Sequence, residues 1–326
     1  MKKVLIAILL LGLLPHASAD YIHWVDFRLS APVLRSALEL DMASQGGEQP
    51  LDWIDILALA AAWRGGTGVT VADTQRAAQI LRGDTPPERL PGMAGRCFSY
   101  YRAAYGAALG GLVGHFAIRR TDPQTGEAEW IPAYGLKAFS PIAAGYPWSH
   151  YPDFGAQRSY GYARPHLGND ILGALGTPIC AVEGGTVEAL GWNRYGGWRI
   201  GIRSDDRKRY YYYAHLRKDT PYAEGLAVGQ RVQAGEVIGF MGRTGYSAQE
   251  NVNNIETVHL HFGLQLIFDE SQKECDSEIW IDVYPIIELL ASHCSSVARD
   301  PQTGRWERLY PYCDLDAEPL RSAAAR

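Results

Sequence analysis

The sequence has 326 residues, which is long enough for two domains with hydrophobic cores of their own. Its 31 basic and 36 acidic residues give a formal net charge of −5, which argues against nucleic acid and other polyanions as partners. None of the five cysteines belongs to a CxxC pair, so a structural zinc knuckle is not expected.

The N-terminus has the three-part layout of a secretory signal. Lys2 and Lys3 are basic, residues 4–14 are almost entirely apolar, and residues 17–19 are small, as a signal peptidase requires. The apolar run is shorter than the roughly 20 residues of a membrane-spanning helix. We therefore predict a signal peptide over residues 1–19 and a secreted, extracytoplasmic product, with an uncleaved N-terminal anchor as the alternative.

Residues 20–135 are predicted to form a mostly helical N-terminal domain. Apolar residues at helical spacing, with glycine and proline stops, indicate helices over residues 31–43, 51–63, 71–81 and 97–113. A hairpin is expected to close this part of the chain, because short β-like runs flank the turn sequence at 122–126. The same five residues recur at 300–304, which we interpret as reused turn chemistry and not as a domain repeat.

Residues 136–270 are predicted to form a β-rich domain. Short apolar runs separated by glycine are typical of sandwiched or barrel-like sheets, and they fall at residues 178–182, 186–190, 198–203, 210–216, 237–241 and 258–266. A tail over 271–326 is expected to contribute a helix over residues 282–290 and a second hairpin. The predicted fold class is therefore α+β, with a helical N-terminal domain, a β-rich domain and a short α/β tail.

The odd number of cysteines leaves at least one thiol unpaired. Cys275, Cys294 and Cys313 lie in the tail, where an oxidising compartment would permit a disulfide, but the sequence selects no pair among the five. Cys97 lies in the helical part. Cys180 lies in an apolar strand and is expected to be a buried small hydrophobe, not an activated thiol.

Four histidines and one aspartate of the β region point to metal chemistry. His166 and Asp170 are four residues apart and His259 and His261 are two apart, so each pair would share one face of an extended strand. His215 comes from a third β-like segment. Each residue alone would be an ordinary sheet residue, but together they supply a His/His/Asp zinc site with two spare imidazoles.

This residue set suits hydrolysis. Catalytic zinc takes three protein ligands, keeps a position open for water and lowers the pKa of that water to roughly 7. The spare imidazoles could deprotonate the water and protonate a leaving amine. The chain has no HExxH, which excludes the helix-borne metalloprotease arrangement.

The segment from about residue 139 to 266 resembles the lysostaphin-type zinc endopeptidases, whose fold is called the duplicated hybrid motif. The resemblance covers a little under half of the chain and rests on the ordered motifs Arg164-x-His166-x-Gly168-x-Asp170, Gly176-Thr177-Pro178, Tyr213-Ala214-His215-Leu216, Gly235-x-x-Ile238-Gly239 and His259-Leu260-His261-Phe262. It implies that one zinc ion is held by His166, Asp170 and His261. It also implies that His215 and His259 are the non-ligand catalytic pair.

The chain departs from the family pattern around the expected cleft. Thr257-Val258 stand where the family usually has a Gly-Pro-like pair before HxH, and residues 243–256 form a long polar loop. These departures line the expected cleft and therefore bear on substrate preference more than on catalysis. The helical segment and the tail lie outside the family core and loosely resemble extensions of clostridial relatives.

Four further residues near the motifs have two readings each. Tyr211 and Tyr213 are candidate substrate contacts, because strand alternation would place them on the face of His215, although sheet packing explains them equally well. Arg164 precedes His166 by two residues and could lie near the site, but we expect a structural salt bridge. Asn169 could support a metal ligand from the second shell or be a simple turn residue.

The resemblance implies peptidoglycan peptides as the substrate. Together with the other features it predicts an exported zinc metalloendopeptidase that hydrolyses peptide cross-links or stem peptides of bacterial peptidoglycan. A non-catalytic cell-wall binding or morphogenetic module on the same fold is the alternative, because some relatives have lost ligands. A lipoyl- or biotinyl-type carrier is disfavoured, since the turns near residues 235–239 offer no acceptor lysine. The expected partners are peptidoglycan peptides, with no nucleic acid, no membrane beyond an N-terminal anchor and no identified protein.

Overall fold

The computed structural model of the protein describes residues 22–122, 124–273 and 277–317. The predicted signal peptide at residues 1–19 and the cysteine Cys275 lie outside these residues. Within them, every helix is too short or too polar to traverse a lipid bilayer.

Four α-helices cover the N-terminal part: α1 Ala31–Ser44, α2 Trp53–Arg64, α3 Val71–Leu81 and α4 Met93–Leu109. The first three agree with the predicted helices to within two residues at each end. The fourth begins and ends four residues earlier than predicted. It ends there because Gly110 and Gly111 are poor helix formers and the chain enters a strand at Val113.

Local capping explains where the early helices begin and end. Asp52 is the N-cap of α2 and accepts a hydrogen bond from the backbone N–H of Ile54 at 2.7 Å. Gly65 ends the same helix with a left-handed φ of 62°. α3 begins with a capping box, in which Thr70 and Asp73 each accept from the other's backbone N–H.

The rest of the chain is mostly antiparallel sheet, which confirms the predicted α+β class. The strands are β1 Val113–Thr121, β2 Ala128–Leu136, β3 Trp148–His150, β4 Gln157–Arg158, β5 Arg164–Pro165, β6 Asn169–Gly173, β7 Pro178–Cys180, β8 Gly185–Asn193, β9 Gly197–Ser204, β10 Arg209–Ala214, β11 Arg231–Val232, β12 Val237–Phe240, β13 His259–Leu266, β14 Ile279–Trp280, β15 Val297–Arg299, β16 Trp306–Arg308 and β17 Tyr312–Asp314. Helix α5, Tyr284–Leu290, lies within the predicted tail helix.

The central sheet contains eight strands. Seven follow the order β11-β8-β9-β10-β13-β6-β3, and β14 pairs with the far end of β13. All of these pairings are antiparallel. The histidine motifs around residues 215 and 259–261 lie at the middle strands β10 and β13, so the sheet places these two motifs side by side.

The two predicted hairpins share one turn chemistry. In the β1–β2 turn, Asp122 Oδ1 accepts from the backbone N–H groups of Gln124 and Thr125 at 2.7 and 3.0 Å. In the β15–β16 turn, Asp300 Oδ1 accepts in the same way at 2.7 and 3.0 Å. The carboxylate satisfies the turn's backbone donors, as an Asx turn does.

The helices and the sheet share one hydrophobic cluster. It contains the buried side chains Leu57, Tyr105 and Leu109 of the helices together with Val182 and Tyr213 of the β region. β17 of the tail pairs with β1, and α5 packs against α1. The core therefore has no gap near residue 135, and the division into 20–135, 136–270 and 271–326 remains a prediction.

None of Cys97, Cys180, Cys294 and Cys313, the cysteines among the described residues, forms a disulfide. Cys180 is fully buried in β7, as predicted. Burial raises the pKa of its thiol to about 12, so it is not an activated nucleophile.

Candidate metal centre

Three chain segments bring His166, Asp170 and His261 together on one face of the central sheet. Asp170 on β6 lies directly opposite His261 on β13. His166 does not share a strand with Asp170, as alternation predicted, because β5 ends at Pro165 and β6 begins at Asn169. Gly168 in this connection makes room for the His261 ring, since a Cβ there would lie 2.7 Å from His261 Cε1.

The three ligand atoms form a compact triangle. His166 Nε2 lies 2.8 Å from His261 Nδ1 and 3.0 Å from Asp170 Oδ1, and the third side, from His261 Nδ1 to Asp170 Oδ1, is 3.1 Å. A tetrahedral site with bonds of about 2.1 Å has ligand atoms about 3.4 Å apart, so a small outward shift would admit a metal ion. Among the described residues, this is the one group of three metal-ligand side chains that is so close together.

Asp153 orients His166 from behind. His166 Nδ1 donates to the carbonyl oxygen of Asp153 at 3.1 Å and lies 3.2 Å from its Oδ2. With its proton on Nδ1, the ring presents the Nε2 lone pair to the triangle. Burial would raise the pKa of Asp153, but hydrogen bonds from His166 and Asn169 lower it overall, so the carboxylate stays ionised.

Arg158 and Asn169 complete this support. Arg158 donates to Asp170 Oδ2 at 2.9 Å and to Asp153 Oδ2 at 3.1 Å, which leaves Asp170 Oδ1 facing the two imidazoles. Asn169 Nδ2 donates to Asp153 Oδ1 at 2.9 Å and to the carbonyl oxygen of Tyr151 at 2.7 Å, so its side chain supports Asp153 and not a member of the triangle directly. Sequence reasoning missed Asp153 and Arg158, because neither has a fixed spacing from the motifs.

His215 and His259 lie beside the triangle, with ring centroids 4.7 Å apart. His215 Nδ1 donates to the carbonyl oxygen of Thr244 at 2.9 Å, and His259 Nδ1 donates to that of Thr257 at 2.9 Å. Nε2 of each ring therefore carries a lone pair that can accept a proton or a hydrogen bond. Burial, reinforced by the neighbouring His259 and His261, holds the pKa of His215 well below its usual value, so this imidazole is neutral.

The structure does not bring the predicted substrate contacts Tyr211 and Tyr213 to the metal centre. Both are buried in the core, where Tyr211 donates to Glu183 and Tyr213 accepts from the backbone N–H of Val182. The tyrosine that lines the site is Tyr212, whose ring centroid lies 5.8 Å from that of His261. Alternation failed here because His215 has a left-handed φ of 61°, which breaks the strand geometry at that residue.

The pocket over the centre has a volume of about 160 Å³ and aromatic walls. The guanidinium of Arg164 lies 4.7 Å from the ring centroid of Tyr195 and 5.8 Å from that of Tyr246, a cation–π arrangement. It also donates to the carbonyl oxygen of Tyr160 at 2.6 Å. The salt bridge expected for Arg164 does not form with any described residue.

A larger cavity of about 730 Å³ lies elsewhere, between residues 24–32 and helix α5. None of the five motif residues lines it. The size of a cavity therefore does not locate the chemistry of this protein.

This chain is similar to known peptidases in sequence. The model of peptidase family M23 matches residues 164–274. The L-Ala–D-Glu endopeptidase of Bacillus subtilis is 35% identical over 177 residues, which are 51% of this chain and 52% of that protein. Lysostaphin of Staphylococcus simulans is 37% identical over 98 residues, 30% of this chain and 17% of lysostaphin.

The solved structure of the lysostaphin catalytic domain from Staphylococcus simulans superposes with a TM-score of 0.33 and 28% identity, covering 44% of this chain and 92% of the domain. This chain spans about half the length of the Bacillus relative. The matched segment begins at Arg164 and contains all five motif residues. Residues 164–274 of this chain thus match peptidase family M23, and the chain is similar in sequence to lysostaphin and to the Bacillus endopeptidase.

Proposed function

We propose that this protein is a zinc metalloendopeptidase that hydrolyses peptide bonds of bacterial peptidoglycan. The observation that carries the proposal is the convergence of His166, Asp170 and His261 beside two imidazoles that are not part of the triangle. Two histidines and one carboxylate are a donor set that zinc takes at catalytic sites.

The substrate class is supported by the relatives. The Bacillus relative is named an L-Ala–D-Glu endopeptidase and aligns with 51% of this chain. A Staphylococcus capitis relative, 38% identical over 98 residues, is named a glycyl-glycine endopeptidase. The longer match favours a stem-peptide bond next to an acidic residue. Such a substrate lies outside the cytoplasmic membrane, which accords with the predicted signal peptide.

The protein's own groups have distinct tasks in this proposal. Zinc, when bound, would polarise the scissile carbonyl and supply a water of lowered pKa. Asp153 and Arg158 hold His166 and Asp170 in position. His215 and His259, each anchored through Nδ1, use Nε2 to orient and deprotonate the water and to protonate the leaving amine.

The first experiment uses purified residues 20–326. Bound zinc is measured by elemental analysis, beside release of peptide fragments from purified peptidoglycan with and without a chelator. We expect one zinc per chain and cleavage that stops with the chelator and returns with added zinc. Zinc without cleavage would favour a cell-wall binding module, and a chain that binds no zinc would contradict the proposal.

The catalytic role of His215 has a separate test. His215→Ala should keep its zinc, because His215 is outside the triangle, and should lower kcat/KM by about 10²- to 10⁴-fold. His115→Ala, at an exposed histidine of β1 remote from the site, is the matched control and should cleave like the wild type. Full activity in the zinc-loaded His215→Ala variant would remove His215 from the mechanism.

A further inference from the structure

A second pocket adjoins the metal centre on the same face of the sheet. Its volume is about 270 Å³, and it shares Leu167, Tyr212 and His261 with the first pocket. Away from the centre it is lined by Arg199 and Trp280, among others. The two pockets are therefore neighbours, separated by no more than these three shared side chains.

The strand order sets the distance between the centre and Arg199. Arg199 is on β9 and His261 is on β13, and β10 lies between these two strands. Two strand spacings correspond to about 10 Å. An extended peptide advances about 3.3–3.6 Å per residue, so Arg199 can reach a group within about three residues of the scissile bond.

Arg199 differs from the other charged residues of this pocket because its side chain has unused donors. Its Nε is buried without a hydrogen-bond partner, and no described residue forms an ion pair or hydrogen bond with its guanidinium. By contrast, Lys273 donates to Glu188 at 2.5 Å and lies over the ring of Tyr210. Glu278 accepts a hydrogen bond from Trp280 Nε1 at 2.8 Å.

A second arginine on the same strand has the hydrogen-bond acceptors that Arg199 lacks within the described part of the chain. Arg203, four residues along β9, donates to Glu188, to Glu270 and to the carbonyl oxygen of Arg207. Burying the Nε of Arg199 without such a partner is costly, because this donor has lost water and gained no acceptor. An anionic ligand in the pocket would supply the missing acceptors.

We propose that this second pocket is a substrate subsite that binds a carboxylate through Arg199. The planar guanidinium matches a carboxylate in a two-point hydrogen bond, and the rings of Tyr212 and Trp280 pack against the adjoining carbon atoms. The inference rests on the proposed function, since it takes the ligand to be a peptide with an acidic residue near the bond that is cut.

The test compares two synthetic peptides that contain the L-Ala–D-Glu bond and differ only in a carboxylate or a carboxamide on the D-Glu residue. The wild-type chain should have a kcat/KM about 10- to 100-fold higher for the carboxylate peptide, as expected for a charge-assisted hydrogen-bond pair. Arg199→Gln should bring this ratio close to one, and Arg199→Lys should leave an intermediate ratio. Arg231→Gln, which removes an arginine paired with Asp205 away from the pocket, should change neither rate nor ratio.

Two outcomes would overturn the subsite: a wild-type ratio near one, or an unchanged ratio in a folded Arg199→Gln variant. Calorimetric binding of both peptides to the same chains separates this inference from the proposed function. If the wild type cleaves neither peptide, the proposed function fails. Tighter binding of the carboxylate peptide that is lost in Arg199→Gln would still establish the subsite, and equal binding of the two peptides would overturn it.

Discussion

Asp153 shows how single residues outside a motif control a metal site. Its carbonyl and carboxylate oxygens both lie near Nδ1 of His166, and its side chain is only 3% exposed. The ring is thus held in the tautomer whose Nε2 can bind a metal ion. Such second-shell contacts typically change metal affinity by about 10- to 100-fold.

We therefore expect Asp153→Ala to weaken zinc binding by about 10- to 100-fold while the chain stays folded. The affinity is measured by competition with a zinc-chelating dye. Asp84→Ala, at an exposed loop position, is the control and should bind zinc like the wild type. Wild-type affinity in Asp153→Ala would mean that the backbone carbonyl alone orients His166.

At the scale of elements, the buried Arg209 of strand β10 forms an ion pair with Glu183 and a hydrogen bond to helix α4. Arg209 donates to Glu183 at 2.7 and 3.0 Å and to the carbonyl oxygen of Ala107, in the last turn of α4, at 2.8 Å. The positive charge also suits the carbonyl end of the helix dipole. This contact joins the helical part of the chain to the strand that leads into His215.

Removing one member of this pair should destabilise the fold. Glu183→Leu leaves the buried Arg209 with Asp206, at 3.0 Å, as its one carboxylate partner among the described residues, and we expect a loss of about 3 kcal/mol in the free energy of unfolding. The double variant Glu183→Leu/Arg209→Met removes both charges and should recover most of that loss. Denaturant titration measures both, and a single variant as stable as the wild type would show that the pair contributes little.

At the scale of the whole molecule, the continuous core argues for one folding unit. Helical and sheet residues share a single hydrophobic cluster, and tail strand β17 pairs with β1 near the helices. Separate domains would instead have separate cores joined by an exposed linker.

We accordingly expect the chain to unfold in one cooperative calorimetric transition. A chelator should lower the midpoint without splitting the transition, because a bound metal stabilises only the folded state. Two resolved transitions would support the predicted division near residue 135. A chain that lacks residues 20–130 should then also fold, whereas a shared core predicts aggregation.

Local sequence pattern was sufficient to predict much of the secondary structure and the residues of the metal centre. The bounds of the first three helices followed from apolar spacing and caps, and both hairpins from an Asp-led turn. The convergence of the three metal-site residues and the two neighbouring histidines followed from motifs in a fixed order. These features depend on residues close in sequence, or on a motif set that a family preserves as a unit.

Other features depended on the tertiary structure. The support from Asp153 and Arg158, the unpartnered Arg199 and the shared core arise from residues far apart in sequence, and no spacing rule encodes such contacts. Tyr212, not Tyr211 or Tyr213, faces the centre because one left-handed residue ends the strand's alternation. Periodicity describes a regular strand, and only the packed chain shows where that regularity stops.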